Sequence, residues 1–385
     1  MNGSGEASTR QVLGLVADDL TGAGDSAAGF AERGWEVSLH LRSEGLTATA
    51  AAAPTVLAVT TGSRAMPANE AAKVTAAAVN ALAAAGAERL FLKVDSTVRG
   101  SVAGQLTGAL TAWSRRYPEA AAVICPAFPS QGRTVVAGTV LVNGVPVGET
   151  AAAADPVTPQ TLSELTQIIP GSVPGEPGDR AARLIVDAAT DIDLDGIAAQ
   201  LAAAGPELIM VGSGGLAAAL GRAWSPTGTR RTTQATAGRI LIAISSLHPV
   251  TVGQLSRLDP AIGVDVLTTR AETTTPIAAA NELAQRVAAT LAEHAYGALL
   301  VVGGDGAAAI LDCVGADRIV IDGAIVVGCP SGIVHGGAAD GLRLVTKSGG
   351  FGDPDTLATI ITRLRAGSRF DHQHAVPRLV EKETP

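Results

Sequence analysis

Aromatic side chains are scarce in this sequence: three Trp, two Tyr and five Phe in 385 residues. Core volume must therefore come from aliphatic residues, and the hydrophobic content of 47% is dominated by Ala, Val, Leu and Ile. Cysteine is nearly absent, with Cys125, Cys313 and Cys329 far apart and no CxxC or Cys/His spacing. That excludes a disulfide framework or a zinc module and fits buried thiols in a reducing, cytoplasmic setting. There is no basic block, and the net charge is −8. Nucleic acid and anionic membrane surfaces are thereby excluded as partners. No apolar run is long enough to span a bilayer. Residues 1–10 are small and polar, without the apolar stretch of a signal peptide. Residues 371–385 read as a polar tail, whose His372 and His374 are weak metal candidates.

What is present is a repeated alternation. Short Val/Ile/Leu runs alternate with Ala-rich stretches, the pattern of an α/β protein with largely parallel sheets. Strands are expected at 12–17, 35–41, 55–60, 89–94, 121–125, 184–187 and 208–212. Further strands are expected at 239–244, 263–267, 298–302 and 342–345, with helices at 71–85 and 279–295. Asn143-Gly144 marks a hairpin, and 170–178 reads as a Pro/Gly-rich loop. The length calls for two domains. The stretch 224–238 has little to bury and reads as the linker, dividing the chain into 1–228 and 229–385.

Polar chemistry collects where apolar strands end, which is where open α/β sheets bind ligands. The first strand runs into Asp18-Asp19, a small-residue turn and then Asp25. Adjacent carboxylates repel and resist desolvation unless a cation, a base function or substrate hydroxyls use them. The alternative is a solvated turn with an Asp helix cap. The segment Lys93-Val94-Asp95-Ser96-Thr97-Val98-Arg99-Gly100 places Lys93 and Asp95 on one strand face. A guanidinium and an ammonium beside hydroxyls suit a hydroxy-acid, and a surface ion-pair cluster is the alternative. Arg64 follows another strand. Arg133 leaves a Pro-fixed loop, where a ligand contact and a structural turn are equally good readings.

After the linker, three Gly-rich segments follow apolar runs: 301–307, 327–332 and 344–354. Glycines let backbone N–H groups approach phosphate oxygens, and helix N-termini add positive potential. Lys347 is placed to reach a phosphate, and Asp353-Pro354 reads as a helix start. A hydroxyl-rich turn at Ser245-Ser246-Leu247-His248-Pro249-Val250-Thr251 is a fourth element. Together these favour a nucleotide site, and the absence of GxxxxGK[ST] excludes a P-loop. His248 and His335 are more readily structural than catalytic.

In order along the chain, Ala17-Asp18-Asp19-Leu20-Thr21-Gly22-Ala23, then 93–100, then Pro126-Ala127-Phe128-Pro129 with Gly132-Arg133, resemble the four-carbon acid sugar kinases. So do Gly303-Gly304-Asp305 and the ending Thr346-Lys347-Ser348-Gly349-Gly350-Phe351-Gly352. The resemblance implies an N-terminal acid-sugar domain, a C-terminal nucleotide domain and a site in the cleft between them. The reaction it implies is ATP-dependent phosphorylation of threonate, erythronate or 3-oxo-tetronate, usually on the terminal hydroxyl. Asp18 or Asp19, Arg64, and Lys93, Val94, Asp95 and Ser96 would touch the acid. Ser246, Gly303, Gly304, Asp305, Gly306 and Gly349 would touch ATP. Two departures stand out. Family members often read Gly-Ser-x-Ser-Pro-x-Thr at 245–251, and often carry Thr at the position of Gly306.

These readings give an in-line phosphoryl transfer between two small molecules, a sugar acid and ATP. Arg99, Arg64 or Lys93 would hold the acid's carboxylate, and one of Asp18, Asp19 and Asp25 would serve the attacking hydroxyl. Ser246, Thr251, Gly303, Gly304, Gly306, Lys347, Gly349 and Gly350 would cradle the nucleotide, with Asp305 near the phosphates or on Mg²⁺. A non-catalytic sensor on the same fold is the competing class, favoured by the departures at 245, 248 and 306. Thr21-Gly22-Ala23-Gly24-Asp25 also resembles the anion-hole signature of ribokinase-like sugar kinases, a second alternative. A homodimer is among the assemblies left open.

Overall fold

The computed structural model of the chain describes residues 11–47, 53–224, 235–246, 248–258, 263–270 and 275–367. Most of the expected linker, the N-terminal ten residues and the tail at 371–385 lie outside them. The chain opens β1 (Val12–Ala17), α1 (Leu20–Ala31), β2 (Glu36–His40), β3 (Thr55–Thr60), α2 (Ala68–Ala84), β4 (Arg89–Lys93), α3 (Val102–Trp113) and β5 (Ala121–Cys125). A small antiparallel sheet follows: β6 (Arg133–Val136), β7 (Thr139–Val142) and β8 (Val145–Pro146). Then come α4 (Leu165–Ile168), β9 (Val173–Pro174), β10 (Arg183–Ile185), α5 (Asp191–Ala203), β11 (Leu208–Gly212) and α6 (Gly214–Ala223). The second half holds β12 (Arg239–Ile244), α7 (Pro249–Leu255), β13 (Val264–Thr268), α8 (Pro276–Glu293), β14 (Tyr296–Val302) and α9 (Gly304–Cys313). It ends with β15 (Arg318–Val326), β16 (Cys329–His335), β17 (Arg343–Lys347) and α10 (Thr356–Ala366).

The expected α/β architecture with largely parallel strands is observed, and the two halves share one sheet. Among the described residues its order is β13-β12-β14-β17-β16-β15-β2-β3-β1-β4-β11-β5-β10-β9. The eight strands from β2 to β9 are parallel to one another, as are β13, β12, β14 and β17. The join is antiparallel: β15 pairs with β2 and β16, and β16 with β17. β1 is buried at all six positions, because helices cover both faces of a parallel sheet and leave no strand face to water.

Several expectations need correcting. Residues 327–332 are not a loop leading from a strand into a helix: Val327 and Gly328 are the tip of the β15–β16 hairpin, and Cys329 onward is strand. The 170–178 loop contains the short edge strand β9. The hairpin at Asn143-Gly144 is present, with φ of 51° and 80°, the left-handed pair that a tight two-residue turn requires.

The few aromatics are concentrated. Phe30, Trp35 and Trp224 lie 5.5–6.2 Å apart, centroid to centroid, and tie α1 to the end of α6. At the join, the Glu32 carboxylate accepts from Ala324 N–H at 3.2 Å. Arg343, 9% exposed, donates through Nη1 to Asp322 at 2.7 Å and to Ser331 at 2.8 Å. Removing one partner of a largely buried pair strands the other charge. Arg343→Met should therefore lower the unfolding free energy by about 3 kcal/mol, and adding Asp322→Leu should recover part of it. Chemical denaturation of both variants checks this; a neutral single variant would refute it.

Candidate functional site

Three adjacent strands, β3, β1 and β4, end side by side, and the residues just beyond them meet. After β1, the Asp19 carboxylate caps α1, accepting from Gly22 N–H at 3.2 Å and from the Thr21 hydroxyl at 2.6 Å. The helix thus starts at Leu20 and carries Asp25 within its second turn, rather than being opened by it. After β3, Arg64 reaches back: it grips Asp18 through two bonds of 2.7 and 2.9 Å and Asp19 through one of 2.7 Å. After β4, Asp95 takes a two-point contact from Arg99 at 2.8 and 3.0 Å and accepts from Thr97 N–H and hydroxyl. The other arm of Arg99 donates to Asp155 at 2.8 Å. Val98 closes this loop in the left-handed region, φ 52°, an uncomfortable conformation for a β-branched residue that packed surroundings impose.

The cleft above these strand ends encloses about 150 Å³. Asp19, Asp25, Arg64, Lys93, Asp95, Ser96 and Arg99 line it, and Arg133 completes the basic lining. Ser213 and Gly214 at the start of α6 contribute, as do Gly328, Ser348 and Phe351 from the second half. The site therefore lies between the halves, as expected. Asp18 is buried beneath it, and Val94 joins only through its backbone, donating to Gly212 O at 2.9 Å. Neither presents a side chain to the cleft.

The environments of the carboxylates shift their pKa values in different directions. Burial pushes Asp18 up, partly offset by Arg64. Burial also acts on Asp19 and Asp95, but Arg64, Lys93 and, for Asp95, Arg99 outweigh it and hold both low. Asp25 lacks such cover: burial raises it to about 6 although Lys93 pulls it down. It is the cleft Asp with no hydrogen bond or ion pair among the described residues, and its carboxylate packs against Gly214. Lys93 likewise has no hydrogen bond or ion pair there. Its ammonium lies so close to Gly22 that a Cβ there would sit 2.6 Å from Nζ and would also strike Asp19.

The nucleotide candidates adjoin the cleft. A Cβ on Gly304, at the N-terminus of α9, would lie 3.3 Å from the Thr21 hydroxyl and 3.6 Å from Asp19 Oδ2. Ser246 abuts Gly349, and His248 abuts Gly350. Two expectations are corrected. Lys347 is fully buried, and its ammonium donates to Ser348 O at 3.0 Å and lies 3.5 Å from Gly349 O. Burial lowers it to about 8, so it braces the glycine loop from beneath rather than reaching a phosphate. The Thr251 hydroxyl, also buried, donates to Gly349 O at 2.7 Å and has the same bracing role. Asp305 is exposed in the first turn of α9, and no group of three His, Cys, Asp or Glu able to hold a metal occurs among the described residues.

The departures at 245 and 306 turn out to be one exchange. A Cβ on Gly306 would collide with Oγ and Cβ of Ser245, so a side chain at 245 fills the space that a side chain at 306 would need. His248 replaces the usual serine as a cap, its Nδ1 accepting from Val250 N–H at 3.2 Å. Ser213 and Gly214 are cleft residues outside the expected set, although Gly212-Ser213-Gly214-Gly215 after an apolar strand carries the same signal as the other glycine loops.

The sequence matches family models described as a sugar-binding N-terminal domain, over residues 13–182, and a nucleotide-binding C-terminal domain, over residues 198–357. A Bordetella bronchiseptica protein named D-threonate kinase is 35% identical over 92% of this chain and 97% of its own length. The chain belongs to the four-carbon acid sugar kinase family. A Brucella melitensis member named 3-oxo-tetronate kinase is 30% identical over 66% of this chain and 64% of its own length. A Bordetella bronchiseptica crystal structure, a domain-swapped dimer with bound citrate, matches 92% of this chain and 98% of its own at 34% identity and a TM-score of 0.51. β11 and α6 fall under the nucleotide-binding model yet are built into the sugar-side half of the sheet, between β4 and β5.

The exchange of bulk is testable by stability. Gly306→Thr alone should cost about 1–3 kcal/mol through overpacking, and Ser245→Gly with Gly306→Thr should recover most of it. Denaturation midpoints of the three proteins check this; equal losses in the single and double variants would refute the exchange.

Proposed function

We propose that the chain phosphorylates a four-carbon sugar acid, of the threonate, erythronate or 3-oxo-tetronate class, on its terminal hydroxyl with ATP as donor. The acceptor is assigned to the residues before 228 and the nucleotide to those from 229. The observation that carries this reading is the nearness of Gly304 to Thr21 and Asp19, whose oxygens a Cβ there would approach to 3.3 and 3.6 Å, so that an anion-favouring helix N-terminus faces the acidic acceptor loop. The names of the relatives, D-threonate kinase and 3-oxo-tetronate kinase, support the substrate class.

Asp25 is the base in this reading. Its carboxylate is free to accept a proton from the attacking hydroxyl, and a value of about 6 suits a base working near neutrality. Lys93, beside Asp19 and Asp25, neutralises charge as the hydroxyl oxygen becomes a nucleophile. Asp18 and Arg64 fix the strand end on which this pair stands. The glycine loops at 303–306 and 348–350 offer backbone N–H groups to the phosphates, with Lys347 and Thr251 holding the second loop in place. Mg²⁺ brought by the nucleotide would find Asp305 and Asp19 as carboxylates, an arrangement suited to an ion that keeps most of its waters and phosphate oxygens; it would neutralise phosphate charge. The family assignment displaces the ribokinase-like alternative, and the swapped relative makes a dimer the assembly to test by sizing.

A coupled ADP-release assay with MgATP and D-threonate, D-erythronate and 3-oxo-tetronate tests the reading. Turnover of at least one is expected; ATP binding without turnover of any would support the sensor instead. With the substrate identified, kcat/KM should fall about tenfold per pH unit below about 6, where Asp25 takes up its proton, and level off above. Asp25→Asn should abolish the profile with the activity. The carboxylate is penalised in the folded protein above about 6 and unpenalised below its ordinary 3.8. The same variant should therefore gain about 2 kcal/mol of stability at pH 7 and nothing at pH 3.5.

A further inference from the structure

One cation of the cleft has no assigned task. Arg133 opens β6 at the exit of the 129–131 turn, through Gly132 at φ +72°. Its backbone is pinned: Phe128 N–H donates to Arg133 O at 2.7 Å, Arg133 N–H donates to Phe128 O at 3.1 Å, and Asn143 N–H donates to Gly132 O at 2.7 Å. The small sheet β6–β8 thus aims one side chain into the cleft from a rigid base. Nη1 of that side chain donates to the Gln131 carbonyl. Nε is buried without a partner, and no carboxylate pairs with the guanidinium among the described residues. Arg64 and Arg99 are each matched by at least two carboxylates. Burial lowers the pKa of Arg133, Asp95 opposes the shift and the neighbouring Arg99 adds to it. A desolvated guanidinium with open donors beside a second guanidinium calls for an anion with two coplanar oxygens.

Its position says which anion. From the nucleotide half outward the sheet runs β15-β2-β3-β1-β4-β11-β5. The cleft residues beyond those strand ends therefore follow in order: Arg64 after β3, Asp19 after β1, Lys93 and Asp95 at β4, Ser213 after β11, and Arg133 past β5 at the far end of the cleft. An acid lying along this line has its hydroxyl end at Asp25 and Lys93 and its carboxylate at Arg133.

We infer that Arg133 receives the acceptor's carboxylate and is the specificity-determining residue that selects a sugar acid over the corresponding neutral polyol or amide. This rests on the function proposed above and adds to it the direction in which the acid lies. The guanidinium remains protonated throughout and moves no proton; it orients the acid so that the far hydroxyl is the one presented.

The test compares the wild-type chain with Arg133→Met and Arg133→Lys, using D-threonate and D-erythronate, their carboxamides, and ATP. In Arg133→Met, KM for the acid should rise about 100-fold, as expected when one partner of a desolvated charge pair is removed. KM for ATP should stay within about twofold, and the preference for acid over carboxamide should collapse. Arg133→Lys should recover part of that preference, which a merely structural role would not do. Equal losses on acid and carboxamide, or a rise in KM for ATP instead, would overturn the assignment while leaving the kinase reading intact. A wild-type chain that neither binds nor phosphorylates any four-carbon acid would overturn both.

Discussion

The cleft depends on the guanidinium of Arg64. Two consecutive carboxylates at the end of a buried strand repel each other and lose their water, and both effects favour protonation or an opened strand end. Arg64 offsets this by bonding both, and it comes from the loop after β3, the strand paired with β1. Sheet order makes this possible: β3, β1 and β4 are neighbours, so the loops carrying Arg64, Asp18-Asp19 and Asp95 emerge side by side. With Asp18, Asp19 and Asp95 matched, Asp25 and Lys93 are left facing the space where a substrate would react.

The second half meets this centre in fixed register because the sheet is continuous. Main-chain pairing of β15 with β2 and the Arg343–Asp322–Ser331 network position the β15–β16 hairpin against α1. There a Cβ on Gly24 would lie 2.8 Å from Pro330. The N-terminus of α9 is thereby held facing the Thr21 hydroxyl, which a Cβ on Gly304 would approach to 3.3 Å. Such preorganisation is what phosphoryl transfer asks of a protein, since positioning and charge supply most of the catalysis.

Much of this was legible in the sequence. Strands such as β1, β3, β5 and β12 read at their observed bounds because parallel strands buried on both faces are unbroken apolar runs flanked by polar turns. β15 and β16 were not legible: Gly323, Gly328, Pro330 and Gly332 interrupt the alternation and look like loop chemistry, and β15's second partner, β2, lies at the other end of the chain. The site followed the same division. Carboxylates and cations at strand ends could be found from residue type and spacing. Which carboxylates Arg64 already matched, and that Lys347 faced inward, depend on tertiary pairing that no local pattern encodes. Ser245 and Gly306 each look like a separate departure in the sequence; only the fold shows that they share one space.

The bond between halves at β2 and β15 is made of main-chain groups, and such a seam does not distinguish one copy of the chain from another. A hairpin presented by a second molecule would offer β2 the same donors and acceptors. A chain closed on itself and two chains that exchange these halves would therefore bury the same strand pairs, so the seam by itself sets no copy number.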